Sequence, residues 1–390
     1  MRIAQLANFV APHSGGMKIA LESLGGEYVA AGHERVLIIP GERDREIETG
    51  AGVIAQISSP RVSSVYRMIL RSGAVRSVLR RFRPTRVECS DKWTLPWVGK
   101  WAAHNDVGSV LFSHERLDDM MTGWLRVRHG VSGFVSHRNQ RIAPHFDAIV
   151  VASHYAAQEY ASWSSKVRVV PLGVDLDVFH PQVGRENGDA ATSTDAFAAR
   201  LGTAQRPLRL IVVSRLSREK DPQLAIDAVL ELQRRGLAVS LDVVGAGPDA
   251  RALRERAGQG SIYFGGFIAD RAELAARLAR ADLSLSVSPK ETFGLVVLEA
   301  LACGTPVLTA NRGGAREIIS PGVGVVDEPV TGHVPWGAWA SARPAALAEA
   351  IEQLIPRLGA EMSMAARQRA EQFSWRASAA RMLEVHRQIR

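Results

Sequence analysis

The chain has 390 residues, of which 46% are apolar and 23% charged, with a formal charge of +8. This is ordinary globular composition, enough for two or three domains. It excludes a membrane span of ~20 apolar residues, and the N-terminus MRIAQLANFV lacks the pattern of a signal peptide. The two cysteines, Cys89 and Cys303, are expected as reduced thiols in a cytoplasmic protein. Residues 1–173 hold 22 basic and 15 acidic side chains and the remainder 26 and 25, so the positive charge resides in the first half.

In chain order, Arg2–Asn8 reads as a strand, followed by a glycine-containing loop and a helix over Met17–Ala31. Further strands are expected at Arg35–Pro40, Thr85–Cys89, Ser109–Ser113 and Ala148–Ala152. The stretch PLGVDLDVFHP at 171–181 and the Ala/Thr/Ser/Asp-rich run 184–207 read as an interdomain connection and a linker. A second series follows, with strands at Leu208–Ser214, Ser240–Gly245, Ile262–Phe264, Leu283–Ser286 and Val307–Thr309. Helices are expected at Pro222–Arg235, Arg271–Arg280 and Gly294–Ala302, and again from Ser374 to Arg390. Strands alternating with helices predict an α/β chain of two Rossmann-like doubly wound domains facing a central cleft. Their expected limits are 1–172 and 173–374, with the terminal helix 375–390 rejoining the first.

Candidate chemistry concentrates in the second series. In SPKETFGLVVLEALACG, Glu291 and Glu299 are separated by seven residues. Thr292 is expected to cap the helix, leaving the N–H groups of Phe293, Gly294, Leu295 and Val296 free for a phosphate. Carboxylates placed here suit the hydroxyls of a sugar or ribose. In VSRLSREKD, Arg215 and Lys220 follow a strand and are expected to stabilise a departing nucleoside diphosphate in place of a divalent ion. Gly245 in VVGAGPD opens a turn beside a nucleotide, and Gly265-Gly266-Phe267-Ile268 is placed to flank the base. Asp175-Leu176-Asp177 matches a metal motif superficially and is read as hinge geometry. No His/Cys cluster has zinc spacing, so neither a cofactor nor an obligatory metal is expected.

In the first half, Ser14-Gly15-Gly16-Met17 precedes a helix, where paired glycines and a helix N-terminus favour a phosphate. His114, in LFSHERLDD, sits just past a strand end. Residues 50–87 carry eight arginines and no acidic residue. Apolar residues there recur at helical spacing (Val62, Val65, Tyr66, Ile69, then Val75, Val78, Leu79, Phe82). The segment reads either as a basic amphipathic helix on an anionic bilayer or as core-packed helices with a cationic face.

The Glu291/Glu299 pair, Arg215 with Lys220, and PLGVDLDVFHP resemble the family-4 retaining glycosyltransferases of GT-B fold. The resemblance is densest in residues 205–320. It implies that Arg215 and Lys220 bind the donor diphosphate, that Glu291 contacts donor-sugar hydroxyls and Glu299 the ribose, and that Gly15 and Gly16 close on the diphosphate. It further implies that His114 contacts the transferred sugar; Glu115, Arg116, Asp118 and Asp119 are candidates for the acceptor. Actinobacterial members with a similar GGM loop and SHERLDD segment use GDP-mannose, and phosphatidylinositol mannosyltransferases use a similar basic surface. The expected partners are therefore a nucleotide-diphosphate sugar, a sugar or lipid-linked acceptor, and the inner face of an anionic membrane, with no nucleic acid. A UDP-sugar-dependent transferase and a nucleotide-sugar epimerase are the competing enzymes; a basic membrane- or nucleic-acid-binding protein is the non-enzymatic alternative.

Overall fold

The computed structural model describes residues 1–10, 15–63, 66–119, 131–183, 201–320 and 331–389. They form two compact units, Met1–Gly173 with Trp375–Arg390, and Val174–Ser374.

The first unit is built on an eight-stranded sheet. Its strands in chain order are β1 (Arg2–Leu6), β2 (Glu34–Gly41), β3 (Arg45–Thr49), β4 (Gly52–Ser58), β5 (Arg86–Cys89), β6 (Gly108–Ser113), β7 (Ala148–Val151) and β8 (Val167–Val169). Their spatial order is β3-β4-β2-β1-β5-β6-β7-β8. All pairings are parallel except β3 with β4. Strands buried on both faces read as continuous apolar runs, and β2, β6 and β7 do so, with VLII, VLF and AIVV. β3 and β4, which the sequence reading did not anticipate, form a hairpin at the sheet edge; β3 (REIET) is mostly exposed and charged, as edge strands tend to be.

The helices of this unit are α1 (Gly16–Ala30), α2 (Ser72–Phe82), α3 (Trp97–His104), α4 (Val131–Ile142) and the short α5 (His154–Ala157). α1 buries Ala20, Leu21, Leu24 and Tyr28, one face of a 3.6-residue period. The C-terminal helix Trp375–Gln388 packs against α1 and buries Trp375, Ala379, Met382, Leu383 and His386. This terminal helix is joined to the sheet through a buried polar network. Glu88 of β5 lies beside Gln5 of β1 in register. It accepts from Gln5 Nε2 (2.8 Å) and Tyr28 Oη (2.7 Å) and bonds His386 Nε2 (2.7 Å). Arg35 of β2 donates to Gln5 Oε1 and to two backbone carbonyls, those of Ala51 and Leu21. Burial raises the pKa of Glu88, but the bond and charge of His386 and the bonds from Gln5 and Tyr28 prevail and hold it below the usual carboxylate range.

The second unit has a seven-stranded sheet: β9 (Leu208–Val213), β10 (Val239–Val244), β11 (Ile262–Gly266), β12 (Leu283–Ser286), β13 (Val307–Ala310), β14 (Gly332–Val334) and β15 (Gly337–Ala340). The order is β11-β10-β9-β12-β13-β15-β14, parallel except for edge strand β14. Its helices are α6 (Gln223–Arg234), α7 (Ala250–Ala257), α8 (Arg271–Arg280), α9 (Leu295–Ala302), α10 (Gly314–Ile319), α11 (Pro344–Leu354) and α12 (Ala360–Ala370), and the helix Trp375–Gln388 of the first unit is α13. One core runs from the sheet to α6 and α11, through Leu210, Val212, Ala225, Val229, Leu347 and Ile351. The chain winds from β9 outward through β10 to β11, then returns to place β12 on the other side of β9, so the switch point lies between β9 and β12. Residues 184–200 of the expected linker fall outside the described residues; Leu201, just beyond them, is buried in this core.

Candidate functional site

Ligands of doubly wound sheets bind beyond the carboxyl ends of the strands, at the switch point. In the second unit two loops meet that condition, Ser214–Asp221 after β9 and Val287–Gly294 after β12. They carry Arg215, Lys220 and Glu291. Lys220 Nζ lies 2.8 Å from Glu291 Oε2, so the structure joins two of the sequence candidates directly. Arg215 is exposed, and its guanidinium lies 2.8 Å from Glu219 Oε1, which also accepts from Ser217 Oγ at 2.7 Å. Both candidate cations are therefore held by carboxylates on half-open ground. Glu219 is the partner that sequence reasoning overlooked; its place four residues after Arg215 was the available signal.

Glu291 is pushed up by burial, yet the charge and hydrogen bond of Lys220 and the N–H groups of Phe293 and Thr292 hold it below the usual carboxylate range. Here the expected helix start needs correction. α9 begins at Leu295, and its cap is Gly294 at φ 97°, a left-handed conformation that glycine adopts without strain, rather than Thr292. The Phe293 N–H is turned to the Glu291 carboxylate instead of toward a phosphate. Leu295 and Val296 remain at the head of the helix, where amides have no partner within the helix itself. Glu299, on α9, is 3% exposed; burial pushes its pKa up and Arg271, at 3.0 Å, only partly offsets this.

Gly245 also has a different reason from the expected one. A Cβ there would lie 1.9 Å from the Ser214 carbonyl oxygen, and its φ is 139°. The glycine lets the loop after β10 pass against the loop after β9, so protein backbone and not a ligand occupies that space. Phe267 is 48% exposed beyond β11, and Asp175 bonds the N–H groups of Asp177 and Val178 in a tight turn. Among the described residues no group of three or more His, Cys, Asp or Glu side chains gathers for a metal ion.

In the first unit the switch point lies between β1 and β5. Gly15 is exposed just before α1, and Gly16 begins that helix; Ser14 of the same motif lies outside the described residues. His114 follows β6, stacked on Phe112 (centroids 4.1 Å apart) with Nε2 2.9 Å from Ser90 Oγ. Desolvation drives its pKa down to about 4, with Glu88 opposing and Lys92 adding to the drop, so the imidazole is neutral at pH 7. Ser90, at the end of β5, was not singled out by sequence.

Of the four acceptor candidates, Glu115 is the exposed one. Arg116, expected at the acceptor, is buried. Its guanidinium is bonded to Asp118 (Nε to Oδ1, 3.0 Å), to the Tyr155 carbonyl and to Gln158, and it pairs with Asp119 at 3.3 Å. Asp119 also accepts from Tyr155 Oη, so Arg116, Asp118 and Asp119 form a bracket holding the segment just after β6 to α5.

The arginine-rich segment departs most from expectation. Only Ser72–Phe82 is helical; Arg61 and Arg67 pair instead in an antiparallel bridge, and Val65 lies outside the described residues. Of the expected apolar stripe, Ile69, Val75, Val78 and Leu79 face the core, as the core-packed alternative requires, whereas Val62 is 48% exposed and one helix stands where a pair was expected. The acidic side chains absent from the segment arrive from the neighbouring 42–46 stretch: Glu42 pairs with Arg61 and Arg67, Asp44 with Arg71, and Glu46 with Arg81. No helix among the described residues is long and apolar enough to cross a membrane.

Family comparisons agree with this layout. The glycosyltransferase family 4 model matches residues 14–178, and the glycosyl transferases group 1 model matches residues 193–372. The chain is 37% identical, over 98% of its length and 95% of the relative's, to a GDP-mannose-dependent alpha-(1-6)-phosphatidylinositol dimannoside mannosyltransferase of Mycobacterium tuberculosis. It is 33% identical, over 62% of its length and 57% of the relative's, to a D-inositol 3-phosphate glycosyltransferase of Xylanimonas cellulosilytica. In fold it matches a sucrose-phosphate synthase from Thermosynechococcus elongatus, with a TM-score of 0.76 at 20% identity, covering 100% of this chain and 98% of that one. These matches, together with the two doubly wound sheets, establish that the chain belongs to the family-4, group-1 glycosyltransferases of GT-B fold.

Proposed function

We propose that the protein transfers mannose from GDP-mannose, with retention of configuration, to a phosphatidylinositol-type or other lipid-linked anionic acceptor. The observation that carries this reading is the 37% identity, over nearly the whole of both chains, to the GDP-mannose-dependent phosphatidylinositol dimannoside mannosyltransferase. In this reading the second unit binds the donor. Arg215 and Lys220 exchange their carboxylate partners for the diphosphate, assisted by the amides of Leu295 and Val296. Glu291 accepts hydrogen bonds from the hexose hydroxyls and Glu299 from the ribose.

From the first unit, the exposed Gly15-Gly16 turn contributes backbone amides to the diphosphate. His114 contacts the transferred sugar as a neutral imidazole, so it adds no positive charge beside an oxocarbenium-like transition state. The acceptor hydroxyl attacks on the face that the diphosphate leaves, and the departing phosphate takes the hydroxyl proton. Exposed Glu115 is the acceptor contact retained. The exposed arginines of α2 favour peripheral contact with an anionic membrane on the cytoplasmic side, through charge rather than an inserted helix.

Incubation with GDP-mannose, UDP-glucose and UDP-N-acetylglucosamine, each with phosphatidylinositol mannosides, tests the reading. Mannosylated lipid from GDP-mannose alone, with an α linkage by NMR, is expected. Transfer from a UDP-sugar, with none from GDP-mannose, would overturn it. Inositol phosphate belongs in the same assay, because D-inositol 3-phosphate glycosyltransferases are among the relatives.

A further inference from the structure

The first unit contains a groove of about 400 Å³ that none of the proposed donor or acceptor contacts uses. That volume falls within the ~300–1,000 Å³ of small-ligand sites. One wall is the turn leading into α3, carrying Trp93 and Trp97; the other is α4, carrying Phe134, Arg138 and Arg141. On α4 those three lie at i, i+4 and i+7, one face of a helix.

The turn is fixed by Asp91, whose Oδ2 accepts from the N–H groups of Trp93, Thr94 and Leu95. The helix is fixed to the turn by Arg138, which donates to the carbonyls of Lys92 and Trp93 and stacks 4.8 Å over the Trp93 ring. The walls are thus tied to each other. Phe134, at 45% exposure, stands in solvent at the rim, with Arg141 also exposed.

The lining chemistry limits what fits. Two indoles, a phenyl ring and Ile142 supply apolar walls, and two guanidinium groups supply positive charge. None of the nine lining residues bears a carboxylate, so nothing in the lining repels a phosphate, and Thr94 and His137 are the neutral polar groups beside the two guanidiniums. An acyl chain with an attached phosphodiester is therefore well served, the chain by the apolar walls and the phosphate by the guanidiniums. The same surface continues toward α2, because the Arg76 guanidinium lies 4.7 Å over the Trp97 ring.

We propose that this groove holds the acyl-glycerol phosphodiester portion of one anionic phospholipid molecule, with its chain along Trp93, Trp97 and Phe134 and its phosphate at Arg138 and Arg141. This deepens the lipid-acceptor reading and rests on it for the identity of the reaction.

The test is calorimetric titration of the full chain with dioctanoyl phosphatidylinositol below its critical micelle concentration, so that no bilayer is present. Glycerophosphoinositol and vesicles of phosphatidylcholine with phosphatidylglycerol serve as comparisons. Saturable binding of the monomeric lipid is expected, at least tenfold tighter than the deacylated head, and weakened at least tenfold in both Phe134→Ser and Arg141→Glu. Both sites are exposed, and thermal unfolding and circular dichroism check that each variant is folded. Equal lipid affinity in wild type and variants, or binding to vesicles without binding of the monomer, would overturn the groove. Because binding is measured without transfer, mannose transfer that fails while lipid binds defeats only the catalytic reading. Transfer that proceeds while the variants bind normally defeats only the groove.

Discussion

Two clusters of charged side chains, one in each unit, have opposite characters. Around Glu88 the charges are sealed: Glu88 and His386 are both fully buried, and Tyr28, Gln5 and Arg35 complete the network. Around Glu291 the charges are half open, with the Lys220 and Glu291 side chains 29% and 20% exposed and Arg215 on Glu219 more exposed still. A sealed network has no route for exchange and serves to hold the terminal helix on the sheet. A half-open pair at a switch point can trade one partner for a ligand. Between these two clusters the difference is burial rather than the presence of ion pairs.

The largest expected effect breaks the sealed cluster. Glu88→Ala leaves Gln5, Tyr28 and His386 without the carboxylate they bond and Arg35 without a nearby opposite charge, and loss of one partner of a buried pair costs about 3–5 kcal/mol. Denaturant unfolding should show that loss; a change under 1 kcal/mol would mean the network is not sealed.

Next, Arg215→Ala or Lys220→Ala should leave the fold intact and reduce turnover at least about 100-fold, because losing one group that stabilises transition-state charge costs ~2.7–4 kcal/mol. Thermal unfolding alongside steady-state rates checks both halves of that statement. Near-normal turnover in both variants would place the diphosphate elsewhere.

A pH-dependent effect separates His114 from both clusters. Its folded pKa of about 4 lies below the ordinary 6.5. Between those values the unfolded chain binds the proton and the folded chain does not, so its share of stability is present above pH 6.5 and lost as pH falls toward 4. Melting temperature followed across that window should fall more steeply in wild type than in His114→Asn. Identical slopes would show that the imidazole is not desolvated.

The smallest effect is at the surface. Arg81→Ala removes the pair with Glu46, in which both side chains are more than half exposed, and should change stability by about 0.2–1 kcal/mol at most. A loss above 2 kcal/mol would contradict the distinction drawn between open and sealed pairs.

Much of this was readable from residues because local signals and the global fold agree. β6 and β7 are short apolar runs between helices, and α8 matches its expected bounds, with Asp270 accepting from the Ala272 N–H as its cap. Arg215, Lys220, Glu291 and Glu299 were visible as a spacing after strands. What sequence left obscure was non-local. Nothing near residues 61–83 announces that Glu42, Asp44 and Glu46 will pair with Arg61, Arg67, Arg71 and Arg81, because the turn into β3 and β3 itself, which carry them, have weak strand signals. The Glu88–His386 bond spans 298 positions, and neither residue sits in a motif. At Gly245 and Gly294 the conformational freedom was legible, but only the packed loops reveal which protein atoms approach them.

The central claim is that the β9–β12 switch point holds a nucleoside diphosphate through cations that leave carboxylate partners to do so. Calorimetric titration of GDP into wild type and an Arg215→Ala/Lys220→Ala double variant tests it most directly. Saturable binding by wild type is expected, with affinity at least 100-fold weaker in the folded double variant. Equal affinity in the two proteins would contradict it.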